Sequence, residues 1–141
     1  MSEENVEVVR QVLEDFHAGV ERGDPGAGFD SEHLSDGFEY VMPEGYVNLI
    51  GKPVLRGRGD FVEFFRTWTA DFEGWSQQVE RLIDADDRVI ALTRQSAVGE
   101  GSGARVELEL GQVYEFKQGR LIRVRFYVGY ADALEAAGLS E

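Results

Sequence analysis

Val6, Val9, Leu13, Phe16 and Val20 recur at steps of three and four, which predicts an amphipathic helix with one apolar face. Ser2 suits its N-cap, and Glu3 and Glu4 suit the positive end of its dipole. Gly23-Asp24-Pro25-Gly26 should stop it. Residues 27–36 are weakly patterned, with Phe29 and Leu34 as anchors for a short helical piece. Phe38 to Met42 reads as a strand ended by Pro43, and a loop runs on to about Gly59. Phe61, Phe64, Phe65, Trp68 and Phe72 restore the helical period, with Asp60 and Glu63 as a capping pair and Gly74 as the close. From Trp75 the period becomes two. Strands are expected over 76–84, 88–98, 104–116 and 120–129, separated by Asp84 to Asp87, Gly99 to Gly103, and Lys117-Gln118-Gly119. Short turns between consecutive strands make an antiparallel meander. Ala131 to Ala137 reads as a last helical turn or two, stopped by Gly138. Helices early and strands late are the α+β pattern, and no linker or repeat divides residues 1–141, so one domain is expected.

The strand faces decide what can meet. In 88–98, Ile90, Leu92, Arg94, Ser96 and Val98 form the more apolar set and are assigned to the helix side, leaving Ala91, Thr93, Gln95 and Ala97 outside. In 104–116 the inner set is Val106, Leu108, Leu110, Gln112, Tyr114 and Phe116. In the last strand it is Ile122, Val124, Phe126 and Val128. A hairpin pairing Tyr114 with Ile122 and Gln112 with Val124 makes these two faces coincide. The outer face then carries Glu107, Glu109 and Glu115 near Arg123, Arg125 and Tyr127.

Charge narrows the partners. Asp and Glu number 27 against 14 Lys and Arg, a formal net charge of −13. Phosphate backbones and anionic membranes both call for clustered cations, so neither nucleic acid nor a membrane surface is expected. No apolar run approaches the ~18–20 residues of a membrane span, and the opening MSEEN lacks a secretory pattern, so a cytoplasmic protein is expected. With no cysteine and only His17 and His33, neither a metal site nor any other cofactor is expected. Asp84, Asp86 and Asp87 lack the glycine and distal glutamate of a calcium loop. GEGSG lacks the Lys-Ser/Thr ending of a phosphate loop.

The opening MSEENVEVVRQVLEDFHAGVERGD, the strand ending at Pro43, the helix DFVEFFRTWTADF, the meander and the tail YADALEAAGL together resemble SnoaL-like proteins of the nuclear transport factor two-like superfamily. That resemblance implies a cone: a strongly curved, mostly antiparallel sheet wrapped around N-terminal helices, a cystatin-like α+β barrel with a pocket inside its mouth. It implies homodimers through the outer sheet face. It does not choose a function, since the superfamily holds isomerases, cyclases, hydrolases, dehydratases and binding modules.

Residue-by-residue transfer is more decisive. Steroid isomerisation needs a carboxylate base and two acidic donors. The resemblance puts the base at Met42 and the donors at Phe16 and Gln112. The acid of SnoaL-type cyclases falls again on Gln112. The Asp–Arg–Asp set of the epoxide hydrolases falls on Ser96, Arg94 and Phe126, so only the arginine is present. The expected pocket therefore comprises Phe16, Tyr40, Met42, Trp68, Arg94, Ser96, Gln112, Tyr114 and Phe126, with His17 near the rim. It would take a small apolar or partly anionic ligand. Arg94 is either the anchor for a ligand anion or the partner of a carboxylate such as Glu44 or Asp71. Gln112 can equally be a satisfied core amide. The aromatic stripe of Phe61, Phe65, Trp68 and Phe72 reads as core, and His17 and His33 as surface or capping residues. Two other readings stay open: an isomerase, cyclase or dehydratase-like enzyme using Arg94, Gln112, Tyr114 and His17, and a plain dimerisation module. The dimer surface would bear Arg123, Arg125, Tyr127, Val113, Ala97 and Gln95.

Overall fold

The computed structural model describes residues 2–43 and 53–139. Helix α1 spans Ser2–Glu21 and turns through a short 3₁₀ segment, Ala27–Asp30, into strand β1, Leu34–Val41. Strand β2, Val54–Arg56, leads into helix α2, Gly57–Thr69. Four long strands follow: β3 (Phe72–Ala85), β4 (Arg88–Gly99), β5 (Arg105–Lys117) and β6 (Arg120–Val128). Helix α3, Tyr130–Ala136, comes last. The six strands form one curved sheet in the order β2-β1-β6-β5-β4-β3, which does not close. All neighbours are antiparallel except β1 and β6, which run parallel.

The expected α+β architecture is present, with local corrections. Leu34 opens β1 rather than a helical piece. Phe72 begins β3, so α2 is shorter than its aromatic stripe suggested. β2 lies in a stretch read as loop. Asp60 does act at the start of α2, where its carboxylate accepts the Arg56 backbone N–H at 2.9 Å. The β5–β6 turn is Gln118-Gly119, both at positive φ, which suits a two-residue hairpin of the primed type. A register shift between Glu115 and Phe116 then pairs Tyr114 with Val124 and Gln112 with Phe126, two residues along from expectation but on the same face. Gly138, at φ 77°, ends α3 with the Leu139 N–H bonded to the Leu134 carbonyl at 2.8 Å.

The largest correction concerns β4. Val89 and Ala91 face α1, packing with Val9, Leu13 and Tyr114. Ile90 and Leu92 face the opposite way, against Val113, Ala133 and Ala137. Helix α3 therefore covers the convex side of the sheet and makes apolar residues at home there. Arg94 and Ser96 follow Ile90 and Leu92 outward, whereas Gln95 points into the concave side.

This reversal also takes Gln95 and Ala97 out of the expected dimer surface. Gln95 lines the interior, and Val113 and Tyr127 pack in the cluster under α3. What remains outside is ionic: Arg123 bonds Glu39 at 2.8 Å and Glu115 at 3.3 Å, and Arg125 bonds Glu115 at 2.7 Å.

Candidate functional site

The concave side of the sheet, α1 and α2 enclose a cavity. Val12, Leu13 and Phe16 of α1 line one wall, and Phe61, Phe64, Phe65 and Trp68 of α2 another. Tyr40, Met42, Leu110, Tyr114 and Phe126 complete the apolar part. Its volume is ≈ 620 Å³ counted out through the mouth. Three of its aromatic side chains pack on one another at the wall: Tyr40 stacks on Phe126 at 5.2 Å and 6°, and on Phe61 at 4.9 Å.

Of the sequence-predicted residues, Phe16, Tyr40, Met42, Trp68, Gln112, Tyr114 and Phe126 meet around this cavity. Arg94 and Ser96 do not. Arg94 stands on the convex side, paired with Glu109 at 2.7 Å and Glu80 at 3.6 Å. Its guanidinium pKa is raised first by Glu80, with burial working the other way. The partners differ from both candidates: Asp71 is not its neighbour, and Glu44 falls outside the described residues. Ser96 bonds Ser76 across the β3–β4 pair at 3.0 Å. Because Arg94 is half-exposed and touches no wall of the cavity, Arg94→Leu is expected to leave ligand binding unchanged and to move the melting temperature little. Loss of binding in that variant, measured by titration, would restore Arg94 to the site.

Three members of the polar wall, Trp75, Gln77 and Gln95, lie outside the pocket expected from sequence. Trp75 and Gln77 of β3, Gln95 of β4, and Gln112 and Tyr114 of β5 form a chain of hydrogen bonds along that wall. The Trp75 indole N–H donates to Gln95 Oε1 at 3.3 Å. Gln95 Nε2 donates to Gln77 Oε1 at 3.0 Å, and Gln112 Nε2 donates to the same oxygen at 3.4 Å. The Tyr114 hydroxyl donates to Gln112 Oε1 at 2.5 Å. Gln77 Nε2 reaches His17 Nε2 at 2.9 Å, at the inner edge of α1. The signal for Gln77 and Gln95 was available: with Gln112 inward, the Gly99–Gly103 turn pairs Gln95 with Leu108 and so turns Gln95 inward as well.

Among the described residues, none that lines the cavity is acidic or basic. Burial pushes the Tyr40 and Tyr114 phenols up, with Tyr40 adding to the shift at Tyr114, so both stay neutral donors. Desolvation lowers the His17 pKa, opposed by Glu21 on the same helix. Arg10 and Glu14 of α1 and Glu80 and Arg81 of β3 line the groove that His17 shares on its outer side. His17 is therefore neutral where its ordinary value of 6.5 would already have it partly protonated. The unfolded chain then binds that proton more readily. The His17 contribution to stability is complete above about pH 6.5 and is lost as pH falls below it toward the depressed folded value. Melting curves of the native chain and of His17→Gln should converge as pH is lowered through that range. A constant difference would mean that His17 keeps its ordinary pKa.

The comparisons agree on the family. A family model described as the SnoaL-like domain matches residues 13–124. No curated protein matches the chain. Among solved structures, an NTF2-like protein from Anabaena variabilis is similar at 19% identity, with 92% of each chain covered and a TM-score of 0.69. TerC, solved with polyporic acid, is similar at 16% identity, covering 91% of this chain and 96% of its own, at 0.67. A Catenulispora acidiphila protein with a ketosteroid isomerase-like fold, bound to trimethylamine, shares 15% identity over 91% and 92% of the two chains, at 0.63. At these identities the likeness is one of fold. An open curved sheet around two helices, a cavity on its concave side and a model match over most of the length together place this chain in the SnoaL-like domain family.

Proposed function

We propose that the protein binds a small, neutral, largely apolar molecule in the cavity and performs no acid–base chemistry on it. The observation that carries this reading is the lining itself: aromatic and aliphatic side chains with a neutral amide and hydroxyl wall, and no ionised group among the described residues. Such a pocket is suited to holding a ligand by burial and orienting it by a few hydrogen bonds. General acid–base catalysis needs a group that titrates near the reacting atoms. The positions at which related enzymes carry theirs are Phe16, Met42 and Gln112 here, and the Arg94 set lies on the other side of the sheet. These facts also count against a partly anionic ligand, which would find no cation among the described lining residues.

Trp68 and Trp75 are the only two tryptophans and both line the cavity. Titration with small aromatic hydrocarbons and ketones should therefore change tryptophan emission saturably and raise the melting temperature. Leu110→Trp, which fills the space, should abolish both responses. An unchanged response in that variant would place binding elsewhere.

A homodimer through the convex face belongs to the same proposal, in a narrower form. The surface left for it is the Glu39–Arg123–Glu115–Arg125 ladder beside α3, whose alternating charges can match a second copy. Light scattering at tens of micromolar should report twice the chain mass, and a clean monomer would exclude it.

A further inference from the structure

The hydrogen-bond chain along the cavity wall has a direction, and one residue fixes it. An amide can present either its oxygen or its nitrogen to a neighbour, so a row of glutamines can run either way. An indole N–H can only donate. Trp75 therefore holds Gln95 Oε1 toward itself, which turns Gln95 Nε2 to Gln77. Gln77 must then offer its oxygen, which also takes Gln112 Nε2. Gln112 is left with its oxygen toward Tyr114, whose hydroxyl donates. At the far end Gln77 Nε2 faces His17 Nε2, so that nitrogen accepts and the imidazole is the neutral Nδ1–H tautomer. Desolvation of His17 favours the same neutral form.

The valences left over have one sign. Gln77, Gln95 and Gln112 each use one amide N–H within the chain, so each has one more to give. The Gln95 and Gln112 oxygens each already accept one hydrogen bond and have only a second lone pair spare. Gln112 is the buried member, 3% exposed, while Gln77 and Gln95 are half-buried. A buried N–H without a partner is costly and rare, whereas a spare lone pair on a bonded carbonyl is common. The Tyr40 hydroxyl can turn either way and so does not discriminate. The deep end of the wall, at Gln112, therefore asks its occupant for an acceptor.

Resting on the binding reading above, we propose that Trp75 sets the hydrogen-bond polarity of the cavity. The site thereby selects a small ligand bearing a carbonyl-type acceptor oxygen over one that offers only a donor.

Three molecules of nearly equal shape separate the terms: indene offers neither donor nor acceptor, 1-indanone adds a carbonyl, and indole adds an N–H. The full chain is titrated with each while the Leu13 and Leu110 methyl resonances are followed. 1-Indanone should bind about fivefold to tenfold tighter than indene, the worth of one net hydrogen bond, and indole should show no such gain. In Trp75→Phe, indene binding should persist and report an intact cavity, while the lead of 1-indanone over indole shrinks. If that variant does not fold, the His17 tautomer in the native chain, read from its ring ¹⁵N shifts, decides instead. Nδ1–H is expected, and Nε2–H would overturn the proposal. Indole binding as tightly as 1-indanone, or an unchanged lead in Trp75→Phe, would overturn it while leaving the binding reading intact. If none of the three binds, the binding reading itself falls and takes this one with it.

Discussion

Phe61→Ala is expected to cost about 3–5 kcal/mol of stability, the usual range for deleting a buried phenyl ring. Phe61 is 6% exposed and sits at the centre of the aromatic cluster. Its ring lies 4.9 Å from Tyr40, 5.4 Å from Phe29, 5.6 Å from Phe16, 6.2 Å from Phe65 and 6.4 Å from Phe64, centroid to centroid. Those rings come from α1, the 3₁₀ segment, β1 and α2, so no single element can move to fill the gap. The space vacated also adjoins the cavity. An enlarged apolar cavity stays dry and accepts a benzene-sized molecule, so saturating benzene should recover part of the lost melting temperature. Denaturant melts with and without benzene test both halves. A loss below about 1 kcal/mol would mean that the cluster collapses to fill the gap.

Gly111→Ala is expected to cost about 3 kcal/mol, the upper end of overpacking penalties. A methyl built on Gly111 would stand 2.1 Å from the Ala133 methyl of α3 and 3.5 Å from the Gly129 carbonyl. Ala133 is completely buried, and its methyl has no torsion by which to withdraw. The helix must lift, which opens the cluster of Ile90, Leu92, Val113 and Ala137 beneath it. The concave cavity lies on the other side of the sheet, so ligand binding should survive at temperatures where the variant is folded. Hydrogen exchange should show the amides of α3 losing protection first. Uniform loss over the whole chain would instead mean that α3 and the sheet unfold as one unit.

The two helical stripes and the period-two meander were legible because each buries one face against a common interior. β4 misled for the same physical reason. Its outward residues, Ile90 and Leu92, are apolar because α3 covers them, so relative hydrophobicity could not say which side held the cavity. Only pairing parity could: the turn after Gly99 sets Gln95 against Leu108, and the inward direction of β5 then carries over to β4. Hydrophobicity alone turns Arg94 inward and Gln95 outward, which gives the site a cation in place of an amide. Gln77 and Trp75 carried no such ambiguity, but a glutamine on a strand looks like a solvated residue until its neighbours across the sheet are known. The aromatic residues of the cavity were readable one by one because aromatic side chains are buried nearly anywhere they occur at a regular period.

The parallel pairing of β1 with β6 sets an order of events on the ribosome. Leu34 lies beside Leu121 and Val41 beside Arg125, 87 and 84 positions apart in the chain. The four long strands from Phe72 to Val128 are joined by short local turns and can zip together in sequence. β1, although synthesised early, has no neighbour except the three-residue β2 until β6 has emerged. Closing so distant a contact is entropically slow. During translation α1 and β1 must therefore wait, with Val9, Leu13 and Phe38 uncovered, as a surface for chaperones or for another nascent chain. Pulsed hydrogen exchange during refolding should find the β3–β6 amides protected before those of β1, and simultaneous protection would mean that the two ends of the chain are brought together by collapse from the start.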